Sequence, residues 1–199
     1  MKKLLAMVLA LVMTLSLAVS ANAFKDDKSI SDDYAESVAV LNGMGVFKGY
    51  EDGSFKPEGN ITRAEVATIF FRLLTEEVRT ANSTQSNSLS DVTRGQWFNH
   101  AVSTLSSMGI VKGHNDGTFA PNAPITRAEF AAIAARFDDK NTDMSSKFTD
   151  IASHWAKNEI GIAANKGWIN GYPDSTFRPD QYITRAEAMT IVNRVLERK

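Results

Sequence analysis

The chain has 199 residues, with 22 basic against 23 acidic side chains, a formal charge of −1 and no cysteine. Such a balance offers no field to collect a polyanion, which argues against nucleic acid as a partner. The lack of cysteine excludes disulfides, thiol catalysis and thiolate metal sites together, so stability has to come from packing.

Lys2 and Lys3, the almost wholly apolar stretch Leu4 to Val19 and the small-residue site Ala21-Asn22-Ala23 read as an export signal over residues 1–23. The apolar stretch is short for a membrane span and has no basic stop-transfer flank, so the mature chain is expected to start near Phe24, secreted and free of the membrane. Removing 23 residues from 199 leaves 176, with 20 basic groups against 23 acids and a charge of −3. A chain of that size buries a sufficient core as one body, whereas three separate units of roughly 50–60 residues would each be marginal.

The first predicted helix carries Val38, Leu41 and Met44 and stops at Gly45, where a left-handed residue ends a helix. A loop GYEDGSF opens at Gly49, and the segment ITRAE at Ile61 to Glu65 leads into a second helix bearing Ile69, Phe70 and Leu73. Beyond the polar linker Thr80 to Ser90 the pattern returns with Val102, Leu105, Met108 and Gly109. The loop GHNDGTF from Gly113 follows, then ITRAE at Ile125 to Glu129 and a helix with Ile133, Ala134 and Phe137. After the linker Asp138 to Lys147 it returns again with Ile160, Ala163, Ala164 and Gly167, the loop GYPDSTF from Gly171, ITRAE at Ile183 to Glu187, and Ile191, Val192 and Val195. Each ITRAE lies twelve residues after its loop glycine, and identical strings at one fixed offset imply a triplication, with repeats at 24–79, 89–137 and 147–199. Spacings of three and four give each helix one apolar face that a two-helix unit cannot bury alone. The expected fold is mainly α: three helix-loop-helix repeats packed as a pseudo-threefold bundle with a central three-helix core.

Within ITRAE, Thr62, Thr126 and Thr184 with Glu65, Glu129 and Glu187 form capping boxes, so folding explains them better than chemistry does. Arg63, Arg127 and Arg185 are different, because a cation in a first helical turn sits at the positive end of the dipole. A guanidinium beside unpaired helix-start amides suits a carboxylate or phosphate; the alternative is a structural ion pair with Asp52, Asp116 or Asp174. Asp52-Gly53 and Asp116-Gly117 are turn dipeptides, with Phe55, Phe119 and Phe177 as core plugs, and Ser175 replaces the glycine in the third turn, which should be more strained or of another type. Tyr50, His114 and Tyr172 share one position and suit either stacking on a sugar face or half-buried packing.

Catalysis and metal binding find little support. The loops lack the alternating oxygen ligands and terminal glutamate of a calcium-binding EF-hand. His100, His114 and His154 occupy non-equivalent positions, and the recurring glutamates already cap helices. No enzyme, metal site or cofactor is expected.

The segments SDVTRGQWFNHAVSTLSSMGIVKGHNDGTFAPNAPITRAEFAAIAARF and FTDIASHWAKNEIGIAANKGWINGYPDSTFRPDQYITRAEAMTIVNRV resemble the S-layer homology domain of bacterial cell-surface proteins. The resemblance covers essentially all of the mature chain. It implies a three-pronged helical assembly whose grooves bind secondary cell-wall polymers, notably with pyruvylated sugars, and hold a protein on the wall or surface layer non-covalently. Carried over by position, it implies Arg63, Arg127 and Arg185 as anion contacts, with Asp91, Trp97, Asp150 and Trp155 at the helix entry. The tryptophans suit a core role equally well. The first repeat departs from the pattern, with Asp33 at the tryptophan position and Tyr34 beside it, so one groove is expected to be weak or silent. The implied function is wall anchoring through a peptidoglycan-linked glycan; a structural protein contacting other surface-layer proteins is the alternative. The third repeat is followed by no cargo domain, which fits a tethered partner, competition for polymer sites or a fragment of a longer protein.

Overall fold

The computed structural model describes residues 24–138 and 143–196; the export segment at 1–23 lies outside the described residues. A 3-10 turn at Asp27–Ser29 precedes helix α1 (Asp32–Gly43). Helices α2 (Arg63–Leu73), α3 (Glu76–Ala81), α4 (Asn99–Ser107), α5 (Arg127–Phe137), α6 (Lys157–Asn165) and α7 (Arg185–Val195) follow. The short α3, capped by Thr75, and the 3-10 turn are the elements the sequence pattern did not anticipate. No helix among the described residues is long and apolar enough to cross a membrane.

Local chemistry sets the helix ends as expected. Helices α2, α5 and α7 each begin with a complete capping box, from Thr62 and Glu65, Thr126 and Glu129, and Thr184 and Glu187. Helices α1, α4 and α6 end on Gly45, Gly109 and Gly167 with φ of 67°, 73° and 71°. The next amide then reaches back into the last turn, as Val46 does to the Leu41 carbonyl and Trp168 to that of Ala163.

The repeats meet on a closed ring of backbone hydrogen bonds. Ile61 N–H donates to the Ile183 carbonyl at 3.2 Å, Ile183 N–H to Ile125 at 3.2 Å, and Ile125 N–H back to Ile61 at 3.0 Å. All three isoleucines are fully buried, so the ring is both the apolar centre and the pseudo-threefold axis. It requires three copies, because with any one missing an N–H and a C=O would lie buried without a partner.

The closest helix pairings run across repeats. Helix α4 packs on α2, α6 on α5, and α1 on α7, so each prong is built from the second helix of one repeat and the first helix of the next, with the chain's start closing against its end. Two of the second helices, α2 and α5, touch through aromatic side chains: Phe70 lies 5.7 Å from Phe130 and 5.2 Å from Phe137, ring centre to ring centre. The bundle is therefore mainly α and pseudo-threefold, with the three second helices tied together at their amino-terminal straps and α2 and α5 joined further by aromatic side chains.

Phe55, Phe119 and Phe177 plug the core under each loop, at 1% exposure or less. The loop glycines are there for space. A Cβ on Gly113 would lie 2.7 Å from the Thr118 carbonyl and 2.4 Å from the Leu89 side chain, and one on Gly171 would strike the Phe148 ring. Ser175 adopts φ 63°, in the same left-handed region as Gly53 and Gly117 at 81°. The third turn thus keeps the common geometry, with the steric strain that a Cβ brings there.

Candidate functional site

The three first-turn arginines do not present free guanidinium groups. Arg63, Arg127 and Arg185 are 5%, 7% and 1% exposed. Each reaches into the following repeat, with repeat three followed by repeat one. Arg63 donates from Nε to the Phe119 carbonyl at 2.7 Å and from Nη2 to that of Lys112, while Nη1 meets Glu129 at 2.6 Å. Arg185 repeats this on Phe55, Lys48 and Glu65. Arg127 binds the Phe177 and Asn170 carbonyls and has no carboxylate partner among the described residues. The guanidinium groups also lie over rings, Arg185 4.3 Å from the centre of Tyr50 and Arg63 4.6 Å from Phe119. Burial pulls Arg63 below its ordinary pKa, with Glu129 and Asp91 opposing.

Nor are the amides beside them open. The N–H groups of Arg63, Arg127 and Arg185 donate to the carbonyls of Ala123, Gln181 and Gly59, and the next amides to those of Pro121, Pro179 and Pro57. This corrects the expectation of unpaired helix-start donors: a strap from the next repeat consumes them. The internal ion pairs also differ from the expected ones. Asp52 and Asp174 bind Lys56 and Arg178 of their own loops, while Arg63 and Arg185 take glutamates from the adjoining repeat.

Asp91 and Asp150 lie beneath the loops. The two oxygens of Asp91 accept from the amides of Phe119 and Ala120, and those of Asp150 from Phe177 and Arg178, each at 2.7–2.8 Å. Ala120 and Arg178 have positive φ, so the carboxylate pins a strained turn. Asp26 does the same for Phe55 and Lys56. Burial raises the Asp26 pKa, and the two amides more than reverse this, leaving it below the ordinary value. The sequence reading missed Asp26 because the first repeat has a longer helix entry than the others.

Two grooves run between the prongs, and each draws walls from all three repeats. Groove one, about 560 Å³, brings together Tyr50, Glu65 and Arg72 of repeat one, Trp97 of repeat two and Arg185 of repeat three. Groove two, about 530 Å³, brings together His114, Glu129 and Arg136 of repeat two, Trp155 and Glu159 of repeat three and Arg63 of repeat one. Trp97 and Trp155 are 63% and 60% exposed, so their indoles stand in solvent at the groove mouths and not in the core. At the corresponding place between repeats three and one, Tyr34 is half-buried. Burial first, and Glu187 next, push its pKa up. Tyr172 there lies under Arg127 and Arg178, with ring-centre distances of 5.1 and 3.8 Å.

Arg72, Arg136 and Arg194 form a second set of repeat-related arginines, nine residues after Arg63, Arg127 and Arg185. They lie outside the ITRAE and loop motifs, and only superposing the three repeats reveals their shared register. Arg72 donates to the Val46 carbonyl at 3.2 Å and Arg194 to the equivalent Trp168 carbonyl at 3.3 Å, whereas Arg136 pairs with Glu159 at 2.9 Å. Burial lowers the Arg72 pKa.

Comparison with known proteins gives a consistent picture. The S-layer homology domain model matches residues 23–67, 88–131 and 147–189. The chain is 43% identical over 157 residues to a cellulosome-anchoring protein of Acetivibrio thermocellus, covering 76% of this chain and 35% of that protein. It is 42% identical over 163 residues to cell surface glycoprotein 1 of the same organism, covering 76% of this chain and 7% of that protein. With an amylopullulanase of Thermoanaerobacterium thermosulfurigenes it shares 35% over 189 residues, or 88% of this chain and 10% of the enzyme. The chain thus spans little more than a third of the first relative and a tenth or less of the other two.

Proposed function

The chain belongs to the S-layer homology domain family, and on that premise we propose that it is a non-covalent cell-wall anchoring module, exported and without a catalytic centre. In this reading the grooves between repeats bind an acidic, pyruvylated secondary polymer linked to peptidoglycan, and the module holds at the wall or surface layer whatever it is joined to. One observation carries the proposal. Trp97 and Trp155, more than half exposed, stand at the mouths of grooves that hold arginines, glutamates and a second flat ring, Tyr50 or His114. An indole left in water at the mouth of a polar cleft is poorly explained by packing and suits a sugar face.

Arg63, Arg127 and Arg185 act here by building the groove walls, Arg185 orienting Glu65 and Arg63 orienting Glu129. Asp91 and Asp150 act by fixing the loops that carry His114 and Tyr172. The test is co-sedimentation with purified wall material, before and after chemical removal of its acidic polymer. Binding should vanish with the polymer and fall strongly in the Trp97→Ala, Trp155→Ala double variant. Binding that survives removal of the polymer would favour a surface-assembly protein that contacts other surface-layer proteins.

A further inference from the structure

We propose that the grooves are not equivalent: groove one takes the acidic group of the polymer on Arg72, while Glu159 weakens groove two for anions. The proposal rests on the anchoring function above. Arg72, Arg136 and Arg194 occupy one register, yet their partners differ. In groove two, Arg136 meets Glu159 at 2.9 Å, both side chains being about one-fifth exposed, so that guanidinium is already neutralised. The acid is supplied by α6; its counterpart in α4 is Ala101 and in α1 is Ser37, neither of which can pair with a cation.

Among the described residues Arg72 consequently keeps only the Val46 carbonyl, which leaves most of its five N–H donors without a partner there. Glu65 beside it is held by Arg185 and by Thr62. Of the acids at the mouth, Asp52 is tied to Ser54 and Lys56, and Glu51 lies exposed, where water and salt screen it. A carboxylate entering groove one thus meets a half-buried guanidinium able to take it through two parallel hydrogen bonds. In groove two the same carboxylate would approach Glu159 and have to break an existing ion pair. Lys48 and Lys112 are equivalent and exposed, and do not discriminate.

The third interface has the converse deficiency. Arg194 is bound to a carbonyl as Arg72 is, but the tryptophan position holds Asp33, and the neighbouring Tyr34 is half-buried. Groove one alone combines an open indole with an arginine free of acid partners among the described residues.

The three indole N–H signals of Trp97, Trp155 and Trp168 separate the grooves in a nuclear magnetic resonance titration, with buried Trp168 reporting on the fold. The probe is acid-released wall polymer fragments, native or with their carboxylates amidated by carbodiimide. Native fragments should move the Trp97 signal at concentrations about tenfold below those that move Trp155, and amidation should abolish that difference. Arg72→Gln removes the charge while the buried Trp168 signal checks that the fold persists, and should weaken the Trp97 response about tenfold or more. Glu159→Ala should bring the Trp155 response toward that of Trp97. Equal titration of the two indoles in the unaltered protein, or an Arg72→Gln variant that titrates normally at Trp97, overturns the assignment while co-sedimentation with the wall still upholds the anchoring function. Polymer-independent co-sedimentation would overturn the function itself.

Discussion

Replacing Arg185 by methionine tests whether the first-turn arginines are bolts between repeats. Methionine keeps an apolar stem out to about the Nε position, so the loss is mainly that of the guanidinium. The Phe55 carbonyl, 2.8 Å from Nε, and the Glu65 oxygen paired with Nη1 lose their donors; the Lys48 carbonyl at 3.4 Å counts for less. Glu65 keeps Thr62 through its other oxygen, but one side of its charge is left in a site that is about one-fifth exposed. Breaking a buried pair in this way costs about 3–5 kcal/mol, and orphaning a buried carbonyl by itself costs about 1–3 kcal/mol. For a domain of this size each kcal/mol lowers Tm by roughly 2–4 °C, so a fall near 10 °C is expected, read by thermal and urea unfolding. Because Arg185 links repeat three to repeat one, the whole molecule should lose stability in a single transition. Arg185→Lys should fall nearly as far, since one ammonium cannot reach the Phe55 carbonyl and Glu65 with the geometry of a planar fork. A loss below about 1 kcal/mol for Arg185→Met would refute the bolt.

Other consequences are as direct. Ser175→Gly relieves a left-handed Cβ, and after the entropy that glycine adds to the unfolded chain it should stabilise by about 0.5–1 kcal/mol in a urea denaturation series. Asp91→Ala removes the acceptor for two loop amides, one of them on left-handed Ala120, and should cost about 2 kcal/mol and broaden the His114 loop signals. Asp52 and Asp174 are held at a pKa of about 2 by Ser54 and Thr176, below the ordinary 3.8. Carboxylates depressed on folding contribute stability that is complete above about pH 4 and is lost as pH falls toward 2. Stability measured across that window should decline, and less steeply in Asp52→Asn than in the unaltered chain; an identical slope would show that the turn carboxylate does not matter.

What was legible in the sequence was whatever depends on near neighbours. The capping boxes join residues three apart, the helix-ending glycines answer to the turn just before them, and the loop aspartates Asp52, Asp116 and Asp174 hold residues two further on. Repetition then multiplied each local signal by three. The arginines were legible as misplaced cations but not as to their purpose, since the acids considered for them lay in their own loops.

Their true partners are reached only when the ring closes: Arg185 finds Glu65 across 120 residues and Phe55 across 130. Which helix pairs with which, where the tryptophans point and which second-set arginine is neutralised were likewise decided by tertiary structure. The physical reason is that periodicity shows that a helix has an apolar face without naming its partner. Three near-identical repeats offer several pairings of equal local quality, and the only one that leaves no backbone group unmatched at the axis is the cyclic one, where Ile61, Ile125 and Ile183 satisfy each other.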